Sequence, residues 1–221
     1  MSRHCGLARA AATITSWAVV ASLIAAPLSA QAPELLGAVS ASTQRVARVG
    51  GAESALTGPV LGAGGGVRFR RFTLEANYLE GNLTPESGSL GGDEVFAEAS
   101  VLVRADLGRG FSLGAGPRAR AFIAPGGTVR WMRLEARGRY ESEVIPGRAT
   151  ADVELWQVLS GDVNAQGGSD GGRGGAAGLT VALPNSRFAL RLAYTADRVA
   201  FANGSSEFVD GVQLGLRIGR F

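Results

Sequence analysis

The chain has 221 residues, a net charge of +3 and 22 basic against 19 acidic side chains, every basic one an arginine. That length suits one domain, and so even a charge balance gives no electrostatic footprint for nucleic acid. A single cysteine (Cys5) and a single histidine (His4), both close to the N-terminus, exclude a disulfide framework within the chain.

The first predicted element is a secretory signal. Arg3 and Arg9 form a short basic start, and Ile14, Trp17, Val19, Val20, Leu23 and Ile24 form an apolar core. Pro27 closes the core, and Ser29-Ala30 supplies small residues for cleavage. The expected division is a signal peptide at 1–30 and one domain at 31–221. The alternative is a retained anchor, for which the apolar core is short. Cleavage removes Cys5, His4, Arg3 and Arg9 together, which leaves an exported chain without cysteine or histidine and close to neutral.

Beyond Pro33 the dominant signal is alternation with period two, the mark of β-strands. The first strand, from about Leu35 to Val49, is the weakest, and its alternation slips near Arg45. Next, Leu61 to Phe69 alternates with glycines and Arg68, and Phe72 to Tyr78 alternates with Thr73, Glu75 and Asn77. The clearest strand runs from Glu94 to Asp106: Val95, Ala97, Ala99, Val101, Val103 and Ala105 share one face, with Phe96 and Leu102 as exceptions on the other. Then come Phe111 to Ala121, Met132 to Tyr140, Ala149 to Leu155, Ala177 to Leu183, Phe188 to Tyr194 and Val212 to Ile218. The count is ten, with eight as the alternative, and an even number is what a closed single-chain barrel requires.

Connections alternate between tight ones (70–71, 107–110, 142–147, 184–186) and longer polar ones (50–58, 81–93, 123–127, 160–173, 202–206). Membrane barrels show this asymmetry, with short periplasmic turns and longer outer loops. Aromatics fall near both predicted ends, as interfacial girdles do. Phe69, Phe72, Phe111, Tyr140, Phe188 and Phe221 lie at one end; Tyr78, Phe96, Phe122, Trp131, Trp156, Phe201 and Phe208 lie at the other.

The leader, the alternating strands and a terminal strand closing on Phe221 together resemble the small bacterial outer-membrane β-barrels. The resemblance implies a transmembrane antiparallel up-and-down barrel in the bacterial outer membrane, in contact with outer-membrane lipid and lipopolysaccharide. It also implies that Leu214, Leu216, Ile218 and Phe221 form the signal read by the barrel-assembly machinery, although Phe221 stands three residues after Ile218, out of phase. A soluble lipocalin-like barrel gives similar alternation. The uniform Ala, Val, Leu and Phe of the apolar face favours lipid over a packed core.

The opposite face is charged. Its predicted lumen network is Arg68, Glu75, Glu98, Arg104, Arg118, Arg120, Arg133, Glu135, Arg137, Arg139, Asp152, Glu154 and Arg191. Small inward residues, among them Gly62, Gly64, Gly66, Gly178, Gly211 and Gly215, form the facing wall. The expected function is a structural or surface-interaction barrel with a mostly filled lumen and a surface partner that the loops do not identify. The alternative is a narrow pore whose arginines favour small anions. Without histidine the exported chain lacks the usual general base, so no enzyme, catalytic residue, metal or cofactor is expected. Asp162, Asn164 and Asp170 have oxygens suited to calcium, but their spacing matches no calcium loop.

Overall fold

The computed structural model describes residues 32–50, 54–89, 91–163 and 169–219, with backbone alone for 169 and 170. The signal segment 1–30, Asn164, Phe221 and the side chain of Asp170 lie outside the described residues.

Ten antiparallel strands follow one another: β1 (Glu34–Val49), β2 (Ser54–Phe69), β3 (Phe72–Pro85), β4 (Glu94–Gly108), β5 (Phe111–Ala124), β6 (Gly127–Ile145), β7 (Ala149–Val163), β8 (Ser169–Ala182), β9 (Phe188–Phe201) and β10 (Ser206–Ile218). Each pairs with its sequence neighbours, and β1 also pairs with β10, from Gly37 opposite Ile218 to Val49 opposite Ser206. The sheet therefore closes on itself with ten strands, not eight, and closure leaves no unpaired edge.

One end of the barrel carries the tight turns at 70–71, 109–110, 146–148 and 183–187; the other carries the connections 50–53, 86–93, 125–126, 164–168 and 202–205. These are the turn end and the loop end. Arg109 (φ 55°) and Gly110 (φ 81°) take the two successive positive φ values of a tight hairpin turn, and Asn185 (φ 55°) suits another.

The strands run further toward the loop end than hydropathy predicts. The connection expected at 123–127 is a two-residue turn, because Ile123 pairs with Thr128 and Ala124 with Gly127. Likewise Leu56 and Thr57, expected in a loop, pair with Pro85 and Thr84. The contrast between long and short connections is correspondingly weaker than expected. The slip at Arg45 is absent too: Arg45 keeps the outward phase of Val39, Ala41 and Thr43, and all four are exposed.

The alternation sorts side chains cleanly. Leu61, Leu74, Val101, Val103, Leu113, Met132, Leu155, Leu192 and Leu214 are exposed on the outer wall, whereas Glu98, Arg104, Arg120, Arg133, Glu135 and Asp197 are buried within. Leu61 is 68% exposed and Glu135 0%. The apolar belt ends in aromatics at the turn end, where the tilted rings of Phe111 and Tyr140 meet with centroids 4.6 Å apart and Phe72 and Phe188 are also exposed. At the loop end, Tyr78 donates to Glu80 (2.9 Å) and Tyr194 to Asp210 (3.2 Å). Each hydroxyl marks where the outer surface turns polar, the setting a tyrosine favours.

Four aromatics expected in the loop-end girdle are not there. Phe96, Phe122, Trp131 and Trp156 are all buried, inside the barrel. Phe96 and Leu102, the exceptions within their strand, follow the inward phase of Glu98, Ser100 and Arg104. The lumen thus has its own apolar core near the loop end, built from Val46, Leu56, Val60, Leu83, Phe96, Phe122 and Val209.

Candidate lumen charge network

Below and around that apolar core, facing strands send charges toward one another. Arg120 on β5 is the central bridge: its guanidinium donates to Glu98 on β4 (2.8 Å), to Asp197 on β9 (3.0 Å) and to Glu207 on β10 (3.3 Å). Asp197 also accepts from Arg133 on β6 (2.6 Å) and from Trp156 Nε1 on β7 (3.1 Å). One carboxylate thus ties three strands across the lumen.

From this centre the pairs continue toward the turn end. Arg118 donates to Glu98 (2.6 Å) and lies 3.7 Å from Glu135. Glu135 is in ion-pair contact with Arg133 and accepts from Arg137 (2.7 Å). Arg137 reaches Glu154 (3.1 Å), Glu154 accepts from Arg104 (2.9 Å), and Arg104 lies 3.5 Å from Glu75. Toward the loop end, Arg48 joins Glu94 (2.8 Å) to Glu207 (3.6 Å). A continuous string of opposite charges therefore runs from Glu94 to Glu75.

Aromatic rings fill the gaps between guanidinium groups. Trp131 lies under both Arg120 (4.5 Å) and Arg133 (4.4 Å), Trp156 under Arg137 (5.2 Å), and Phe122 under Arg48 (4.6 Å). Arginine suits this position because its flat, weakly hydrated cation stacks and donates in-plane at once. Nε of Arg104 and of Arg118 and Nε1 of Trp131 find no protein acceptor, so protein groups alone do not complete the network.

Two predicted groups stand apart. Asp152 forms a two-pronged pair with Arg191, one prong at 2.8 Å, and lies 3.4 Å from Arg139. Arg68 is not joined to the network: it is half exposed at the turn-end mouth, 3.9 Å from Glu34. Conversely, Arg48, Glu94, Asp197 and Glu207 belong to the string although sequence reasoning left them out. The signal was parity. Asp197 shares the phase of Arg191, Ala193 and Thr195, and Glu207 shares that of Gln213 and Gly215.

The wall of small residues leaves room. A cavity of about 220 Å³, lined by Ser40, Gly64, Asn77 and Arg217 on one side and by Glu98, Arg118, Arg137 and Glu154 of the network, lies beside the network. A second of about 190 Å³, at Arg68, Glu75 and Glu141, meets it at Ala38, Gly64, Asn77 and Arg217. Outside the strands, a hydrogen bond from Arg45 holds the Glu86 carboxyl below the usual carboxylate range. Among the described residues no cluster of three or more His, Cys, Asp or Glu is placed to hold a metal; Asp162 is exposed on the outer wall.

Charges and hydrogen-bonding groups inside, and aliphatic side chains outside, invert the arrangement of a soluble barrel. Hydrocarbon is the medium in which that inversion is stable, since every strand pairs with a neighbour on both sides in the closed sheet. By its fold, the chain is a transmembrane β-barrel.

No protein-family model matches the chain, and no curated protein matches it in sequence. Among solved structures it is similar to an outer-membrane channel of Pseudomonas putida, with 12% identity over 86% of this chain and 97% of that one (TM-score 0.49). Neisserial surface protein A gives 12% identity over 86% and 100% (TM-score 0.40). The outer-membrane channel DcaP of Acinetobacter baumannii gives 10% over 80% and 62% (TM-score 0.36), so the chain spans less than two thirds of DcaP. These likenesses concern the barrel architecture and say nothing about a solute or partner here.

Proposed function

We propose that the protein is an integral outer-membrane barrel with a filled, non-conducting lumen that acts as a structural or surface-interaction element. The observation that carries this reading is Arg120, which bonds Glu98, Asp197 and Glu207 on three other strands while packed on Trp131. With the apolar core above it, this bridge obstructs the lumen at the loop end. Small barrels have interiors just wide enough for side chains, and this one uses them. Leu214, Leu216 and Ile218 lie on β10, with Leu214 and Ile218 exposed on the outer wall. In this reading they serve, together with Phe221, as the surface recognised by the assembly machinery.

A second reading, a narrow anion pore, is favoured by the two cavities that meet at Arg217. Most lumen arginines are already paired with carboxylates, which argues against an anion-selective field. Planar-bilayer recording on the refolded leaderless chain decides between them. The filled barrel is expected to give no conductance above background. Steady anion-selective steps would overturn it in favour of the pore.

A further inference from the structure

A charge on the lipid face is costly, and like charges directly opposite on neighbouring strands repel. The outer wall breaks both rules at one place. Arg173 on β8 lies directly opposite Arg198 on β9, and both are exposed in the outward phase of Leu179 and Leu192. Three other outward charges near the loop end have partners: Arg45 has Glu86, Glu80 has Tyr78, and Asp210 has Tyr194. Among the described residues, neither Arg173 nor Arg198 makes an ion pair.

A furrow in the apolar belt starts at Arg173, and Arg198 stands opposite Arg173 on the next strand, outside the furrow lining. The furrow has a volume of about 800 Å³ and is overwhelmingly apolar. Its line follows successive strand partners: Arg173 faces Gln157, Gln157 faces Ala136, Ala136 faces Ala115, and Ala115 faces Val103. Small Ala115 and Ala136 make the floor, and Leu113 and Leu155 rise along one side. Four strand spacings of 4.7–4.9 Å give a length of roughly 20 Å, the reach of an extended fatty acyl chain.

We propose that Arg173 and Arg198 with this furrow form a binding site for one anionic phosphate-headed lipid, the headgroup on the arginine pair and an acyl chain in the furrow. The inference rests on the reading that the exterior faces hydrocarbon. Two adjacent guanidinium groups offer in-plane donors to several phosphate oxygens at once, and a phosphate removes their mutual repulsion. The furrow supplies what a free phosphate could not use, so the site selects a lipid and not the ion.

The test is native mass spectrometry of the protein released by mild detergent from vesicles containing equal parts of phosphatidylglycerol and phosphatidylcholine with the same chains. The unaltered barrel is expected to retain one phosphatidylglycerol in preference to phosphatidylcholine. The double variant Arg173→Gln, Arg198→Gln is expected to lose that preference by about tenfold. Ala136→Phe, which fills the furrow and leaves the arginines intact, is expected to lose it as well. Retention without preference for the anionic lipid would overturn the proposal, as would a preference that survives either variant. Displacement of the lipid by inorganic phosphate alone would overturn it too, by showing a site for the ion. Faster gel migration without boiling reports the folded barrel independently, so a folded variant that retains no lipid bears on this site and not on the membrane reading.

Discussion

Replacing Asp197 by alanine lowers the unfolding free energy of the barrel by about 3–5 kcal/mol, the range for removing one partner of a buried ion pair. Its carboxylate is 3% exposed and accepts from Arg120, Arg133 and Trp156. Its loss leaves two guanidinium groups facing each other in a closed interior, with Trp156 Nε1 unpartnered. Much of the cost is that stranded charge and not the intrinsic worth of the pairs, so a compensating change recovers part of it. Asp197→Ala combined with Arg133→Met is expected to be less destabilised than Asp197→Ala alone. Urea titration in micelles, followed by gel mobility, measures both. A change below about 1 kcal/mol for Asp197→Ala would mean that water, not protein, neutralises the centre of the lumen.

Placing an arginine on the outer wall at Val101 has the next largest effect. Val101 lies near the middle of β4, exposed and opposite Ala76, with Ala99 and Val103 flanking it on the same face. Val101→Arg is expected to cost about 2–4 kcal/mol, the penalty for a cation near the bilayer midplane. Its neighbour provides the control. Ser100 faces the 220 Å³ lumen cavity, whose lining includes Glu98 and Glu154. Ser100→Arg therefore costs less, and the two values are read from the same folding equilibrium in lipid vesicles. Equal penalties would contradict the assignment of faces.

The sequence makes the middle of each strand legible because hydrocarbon enforces apolar residues on one face there. The central strand Glu94 to Asp106 shows this most clearly: Ala97, Ala99, Val101 and Val103 have no alternative setting. Near the loop end the enforcement stops. Thr57, Glu80, Arg130, Arg173 and Arg198 face outward there while Leu56, Val60, Phe96 and Phe122 face the lumen, so the apolar face no longer marks the outside. The strand continues by parity alone, which is why Arg48, Glu94, Asp197 and Glu207 passed for loop or strand-end residues. The misplaced aromatics have a related cause. An aromatic near a turn suits a membrane interface, but Trp131 and Trp156 are drawn inward by arginines that only the closed barrel brings beside them.

The network also shows what composition conceals. Thirteen residues were expected in one lumen set, yet Arg68 sits at the mouth and the Asp152–Arg191 pair forms its own cluster. Sequence parity gives the face of a residue and not its height along the barrel. Height follows from register, and pairs such as Arg120 with Asp197 join residues 77 positions apart. The space near Arg217 is legible only in part: the glycines at 62, 64, 66, 211 and 215 predict a small-residue wall, but not that the opposite charges stop short of it.

The medium against the outer wall is tested most directly by spin labels placed singly at residues 99 to 103 of the leaderless chain, which has no cysteine to compete for the label. In lipid vesicles, collisions with dissolved oxygen should dominate at Ala99, Val101 and Val103, and fall at Ser100 and Leu102. If a water-soluble relaxation agent reaches positions 99, 101 and 103 more readily than oxygen does, the wall faces water and the membrane-barrel account is contradicted.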